Sequence, residues 1–276
     1  HGEDGDATTF DFREKAPLAA TERMFLGLDG NVVNNSNHMG ALSVGVPGTV
    51  AGLWKAHQER GSLPWEQLVA PAIKLAREGI PITYSLQSGF LRNKSRFDLY
   101  PSSQQKFFKA DGSSYELGEL WVQEDLAHTL ELIQKNGRDG FYKGENARRL
   151  ADFMAANGGI ITEEDLELYQ PVEREPVRGT YRGYEIVSMP PPSSGGVALI
   201  QMLNILEGYD LGAMGHNSSA YLHVLTESMR RAYADRAEHL GDPDFNEAMP
   251  ITRLMDKDYA AKQRATIDMA KADISD

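Results

Sequence analysis

Side chains capable of chemistry gather in four stretches of the chain. Arg13 lies in "DFREK", between Asp11 and Glu14 and just before Lys15. Its planar fork of N–H donors matches a carboxylate bidentately, which a lysine cannot do. Two readings stay open for it: a carboxylate clamp at the end of a rigid strand, or a surface ion pair with Asp11 or Glu14 that is worth little. His223 and Glu227 stand four residues apart, a spacing that suits a metal pair, a general base or a solvated pair on one helix face. Asp235, Glu238, His239, Asp242 and Asp244 form a carboxylate-rich run. It lacks the alternate-residue oxygen spacing of a calcium loop, and a helix end at Gly241 followed by an Asp-Pro turn accounts for it more simply. Finally, Ser193, Ser194, Gly195 and Gly196 follow three prolines and open a helix. Free N–H groups there would attract an anion, or a serine would cap them.

Other chemistries are missing. Nucleophile-elbow, phosphate-loop and zinc-helix patterns do not occur in the 276 residues. There is no cysteine, which removes disulfides, thiolate metal sites and a thiol nucleophile together. A net charge of -12 without a basic, aromatic-laced stripe argues against a nucleic-acid partner. No apolar run approaches the ~20 residues that span a bilayer. No metal or cofactor site is expected.

The elements that must position these residues are mostly helical. "ATTFDFRE" alternates apolar and polar residues and predicts a strand ending near Pro17. Helices are predicted from Val50 to a stop at Gly61, and across "PWEQLVAPAIKLAREG" with Leu68, Ala72, Leu75 and Ala76 on one stripe. The polar run from Thr83 to Gly118 reads as an irregular surface excursion. Further helices are predicted at "VQEDLAHTLELIQKNG", with Leu126, Leu130 and Ile133 aligned, at "GENARRLADFMAANGG", and at "TEEDLELY" with Thr162 as N-cap. Two short strands around Gly179 to Gly183, two long helices and a weakly helical tail complete the pattern. No repeat and no long linker divides the chain, so residues 1–276 are expected to form a single domain whose helices cover a sheet that the chain only partly supplies.

Taken in order, "DFREKAPLAA", "GALSVGVPGTVAGLWKAHQERGSLPWEQLVAPAIKLAREG", "MPPPSSGGVALIQMLNILEGYDL" and "ESMRRAYADRAEHLGDPDF" resemble the large subunit of bacterial gamma-glutamyltransferases. The resemblance runs from about Thr9 to Phe245. It implies an α/β (α+β) fold, the αββα four-layer sandwich of the N-terminal-nucleophile hydrolases. In that family a precursor cleaves itself, and the new N-terminal threonine of the small subunit attacks a γ-glutamyl amide such as that of glutathione. The acyl group then passes to water or to an amino acid or peptide. The threonine is activated by its own α-amine, so no Ser-His-Asp triad is needed.

The resemblance places Arg13 where the family's arginine grips the α-carboxylate of the γ-glutamyl group. It gives Ser193 and Ser194 no catalytic role and leaves the nucleophile outside this chain. Asp11 and Glu14 are then expected to orient the Arg13 guanidinium. The chain is expected to be an incomplete large subunit that completes its fold with a small subunit from the same precursor. Export to the periplasm or medium is implied for a bacterial member. Alternatives of the same architecture are a cephalosporin acylase, a poly-γ-glutamate capsule hydrolase, or a scaffold that has lost its nucleophile.

Overall fold

The computed structural model describes residues 6–273, so the polar first five residues and the last three of the predicted tail lie outside the described residues. Strand β1 (Thr9–Asp11) is followed, after a long loop with a 3-10 turn at Ala41–Ser43, by helices α1 (Thr49–Arg60) and α2 (Trp65–Glu78). Strand β2 (Ile80–Pro81) precedes α3 (Tyr84–Arg92), α4 (Lys94–Phe97) and α5 (Pro101–Phe107). Strand β3 (Leu120–Trp121) leads into α6 (Glu124–Asn136), α7 (Asp139–Tyr142), α8 (Gly144–Ala156) and α9 (Glu163–Leu168). Then come β4 (Val172–Arg174), β5 (Val177–Tyr181) and β6 (Tyr184–Ser188). Helices α10 (Gly195–Leu206), α11 (Leu211–Met214), α12 (Ser219–His239), α13 (Ile251–Leu254) and α14 (Lys257–Ala265) finish the chain. The strands pair as three antiparallel ribbons, β1 with β4, β2 with β3 and β5 with β6.

By their contacts, the residues form two compact units: Phe12–Pro171, and the residues before Phe12 together with those from Val172 onward. The first unit has two cores. One gathers Val46, Ala51, Tyr142, Ala147, Met154, Ile161, Leu166 and Tyr169. The other is aromatic, built on Ile82, Phe90, Phe108 and Trp121, with Phe97 and Phe107 packed against it. In the second unit, Val177, Val197, Ile200 and Leu254 close α10 and α13 over the β5–β6 ribbon.

Helix ends follow the sequence closely. α1 and α2 stop at Gly61 and Gly79, and α6 stops at Gly137. Thr162 caps α9 in a full capping box with Asp165. Three expectations are corrected. The strand predicted over "ATTFDFRE" is only Thr9–Asp11, because Phe12 turns its ring onto α1 at Gly52, where a Cβ would overlap that ring. The stripe predicted for α2 is rotated: Ile73 and Ala76 are buried while Leu68 and Leu75 remain about half exposed. Packing against α6 sets that face, with the Trp65 indole N–H donating to the Ile133 carbonyl at 3.0 Å. The largest correction concerns Thr83 to Gly118, which holds three helices rather than an irregular loop. Its aromatics are spaced without a helical or strand period, and only in three dimensions do Phe97 and Phe107 stack at 4.4 Å and Phe90 meet Trp121 at 5.1 Å.

Candidate functional site

Arg13 is exposed, but the backbone that carries it is held on every side within the Phe12–Pro171 unit. On the N-terminal side, the Phe12 ring occupies the space that a side chain at position 52 would need. On the C-terminal side, Lys15 pairs with Val46 through two backbone hydrogen bonds, of 3.1 and 2.7 Å. Between them the Arg13 carbonyl accepts a hydrogen bond of 2.7 Å from the Tyr169 hydroxyl. Gly48 is required here by close approach rather than by its dihedrals. A methyl group at that position would overlap both the Tyr169 hydroxyl and the Phe12 carbonyl.

The supports of this segment form a stack. Tyr169 is 3% exposed, and its ring lies nearly parallel to that of Tyr142, 5.8 Å away. Tyr142 donates to the Pro47 carbonyl at 2.7 Å and accepts from the Ala51 amide at 3.3 Å. Burial pushes the Tyr142 phenol above its ordinary pKa, so it stays a neutral donor. The Arg138 guanidinium sits over the Tyr142 ring at 4.7 Å and bonds the Tyr169 and Glu167 carbonyls, each at 2.8 Å. Lys15 lies over the far ring, with its Nζ 5.5 Å from the Tyr169 centroid.

A second tie runs just past Arg13. The Leu18 amide donates to Asp165 Oδ1 at 2.6 Å, while Oδ2 accepts from the Thr162 amide and hydroxyl at 2.8 and 2.7 Å. Burial raises the Asp165 pKa, but these donors outweigh it and hold the carboxyl below its ordinary value of 3.8. A depressed folded pKa stabilises the fold above the unfolded value, and that contribution is lost as pH falls through the folded one. Asp165→Ala is therefore expected to cost about 1 kcal/mol near neutral pH, through loss of the carboxylate half of the capping box and of the acceptor for the Leu18 amide. Urea melts at pH 7 and below pH 3.8 should show the gap narrowing as the wild-type carboxyl protonates.

The other sequence candidates have structural partners. His223 Nε2 meets the Asp268 carbonyl at 2.9 Å, and Glu227 is buried in an ion pair with Arg231 at 2.6 Å, so the two do not converge. Asp235 is buried and accepts from the Tyr259 hydroxyl and from the amides of Gln201 and Gln263. Asp244 and Asp11 flank Arg174 at 3.2 and 2.8 Å, with Asp11 and Arg174 both in the β1–β4 ribbon. Ser194 begins α10 without a side-chain cap. Instead, its hydroxyl accepts from Arg236 Nε at 2.8 Å, while Ser193 accepts weakly from the Gly195 amide at 3.4 Å. Among the described residues no group of three or more His, Asp or Glu is placed to hold a metal, and no helix is long and apolar enough to cross a membrane.

The family profile of Gamma-glutamyltranspeptidase matches residues 1–276. The chain belongs to the gamma-glutamyltranspeptidase family. It is 47% identical over 272 residues to a glutathione hydrolase proenzyme of Pseudomonas sp. strain A14, covering 99% of this chain and 47% of that protein. It is 40% identical to the Acylase ACY 1 proenzyme of Pseudomonas sp. strain SE83, covering 98% of this chain and 49% of the relative. The crystal structure of Helicobacter pylori gamma-glutamyltranspeptidase superposes with a TM-score of 0.93 at 47% identity, over 97% of this chain and 76% of that one. The chain thus has the N-terminal-nucleophile hydrolase fold of the gamma-glutamyltranspeptidases and spans about half the length of the curated relatives it matches. Tyr169, Tyr142 and Arg138 carried no recognisable spacing in the sequence of this member of the gamma-glutamyltranspeptidase family. They lie 156, 129 and 125 residues from Arg13 in the chain, and only folding brings them to it.

Proposed function

We propose that this chain is the large-subunit part of a γ-glutamyltransferase/glutathione hydrolase and that Arg13 holds the α-carboxylate of the γ-glutamyl donor. The observation that carries the reading is an exposed arginine on a backbone fixed by Gly52, Tyr169 and Val46, in a chain of the gamma-glutamyltranspeptidase family. A guanidinium on a rigid support can orient a bound carboxylate without first being ordered itself. The nucleophile is a threonine hydroxyl at the new N-terminus of a small subunit released from the same precursor, activated by its own α-amine. It attacks the γ-amide carbonyl, the amine leaves with a proton, and water or an acceptor amine resolves the ester. Glutathione and its conjugates are the donors, and the bacterial enzyme works in the periplasm or medium.

An acylase relative at 40% identity supports a second reading, in which the enzyme transfers a different acyl group. The mature enzyme, assembled from the whole precursor, distinguishes the two. Rapid hydrolysis of γ-glutamyl-4-nitroanilide and glutathione, with weak turnover of glutaryl amides and poly-γ-glutamate, is the expected result. The reverse ranking would transfer the chain to the acylase reading, and a mature protein inert to all of these would leave only a scaffold.

A further inference from the structure

We propose that Tyr169 is a positioning residue for the γ-glutamyl donor, acting through the main chain of Arg13. The proposal rests on the reading of Arg13 as the carboxylate clamp. The Tyr169 hydroxyl donates to the carbonyl of the very residue that carries the guanidinium, at 2.7 Å. Everything behind the hydroxyl is fixed. The ring is buried and stacked on Tyr142, and its own carbonyl is held by Arg138. Pro47 and Ala51 hold Tyr142 in turn, so the stack is tied to the start of α1. Gly48 leaves the gap through which the phenol reaches the strand end. The hydroxyl thereby fixes the orientation of the Arg13 peptide plane, and with it the direction in which the side chain departs.

A long side chain amplifies small errors at its root. A modest rotation of the Arg13 peptide would displace the guanidinium by an appreciable fraction of an ångström, and misplacements near 1 Å can cost ~100-fold in rate. The ring and the hydroxyl have separable duties. The ring belongs to the core, whereas the hydroxyl serves the clamp.

Tyr169→Phe keeps the ring and deletes the hydroxyl. In the mature enzyme it is expected to raise KM for γ-glutamyl-4-nitroanilide about tenfold, with kcat changed less than about twofold. Turnover of 4-aminobutanoyl-4-nitroanilide, which keeps the amine and lacks the α-carboxylate, should not change. In an Arg13→Ala background the same substitution should add nothing, because the group it orients is gone.

Equal losses on both donors, or an undiminished effect of Tyr169→Phe when Arg13 is already alanine, would reduce Tyr169 to a structural residue. An unchanged KM in Tyr169→Phe would likewise overturn the proposal. If Arg13→Ala itself leaves the preference for γ-glutamyl over 4-aminobutanoyl intact, then the clamp reading fails, and the positioning proposal falls with it. Loss of that preference in Arg13→Ala beside an unaffected Tyr169→Phe keeps the clamp and rejects only the positioning role.

Discussion

Arg13→Lys in the mature enzyme is expected to lower kcat/KM for a chromogenic γ-glutamyl anilide by about 10- to 100-fold, mostly through KM. Lysine keeps the positive charge but replaces a planar fork by a single ammonium, so one of two parallel N–H···O contacts to a carboxylate is lost. A hydrogen bond to a charged group is worth about 1.5–3 kcal/mol, and each 1.4 kcal/mol is about tenfold. The loss cannot be recovered by the backbone shifting toward the ligand, because Phe12 and Lys15 are pinned on either side of Arg13. Arg13→Ala, which loses the charge as well, should be worse. Steady-state kinetics on γ-glutamyl-4-nitroanilide decide the matter, and near-normal hydrolysis by the lysine variant would remove Arg13 from the site.

The second large effect concerns stability. Arg231→Leu is expected to destabilise the fold by about 3 kcal/mol, because it takes the nearest cationic partner from a buried carboxylate and leaves it only the Asp273 amide and the more distant Arg230. Glu227 is 2% exposed and pairs with Arg231 Nη1 at 2.6 Å. The same guanidinium donates to the Thr266 hydroxyl at 2.9 Å, to the Thr266 carbonyl at 3.1 Å and to Asp273 at 2.9 Å, fastening the segment after α14 to α12. Burial raises the Glu227 pKa, but the Arg231 hydrogen bond and the Asp273 amide outweigh it and hold the group below its ordinary 4.5. The wild-type contribution is thus present above that unfolded value and declines as pH falls through the lower, folded one. Thermal and urea melts of the mature protein should show the deficit of Arg231→Leu largest near neutral pH and smaller under acid. Pairing it with Glu227→Met should restore much of the loss, since a buried apolar pair is often no worse than the ions it replaces. A single variant that melts like wild type would show that the pair contributes little.

Arg13 was visible in the sequence as an arginine beside a β-alternating run, but that local pattern left a clamp and a surface ion pair both open, and only the family resemblance gave it a role. Most helices were legible as well. Their stops at Gly61, Gly79 and Gly137 and the cap at Thr162 depend on residues adjacent in the chain. His223 and Glu227 illustrate the opposite case. Their spacing is helical and correct, yet Glu227 faces Arg231 while His223 reaches the Asp268 carbonyl. Spacing alone does not determine which neighbour a side chain meets.

The same limit explains the misread region from Thr83 to Gly118. Polar composition points to a loop, while the cluster of Phe90, Phe97, Phe107, Phe108 and Trp121 that orders it has no period to detect. What the sequence by itself determined was the chemistry available: an arginine fork, no thiol, acidic surfaces and helices with readable ends. The tertiary structure alone decided what holds the backbone under that chemistry. It brought Tyr169 from 156 residues away to the carbonyl of Arg13 and left Gly48 bare to make room for it. Close packing is set by distances between residues far apart in the chain, and such distances exist only once the chain has folded.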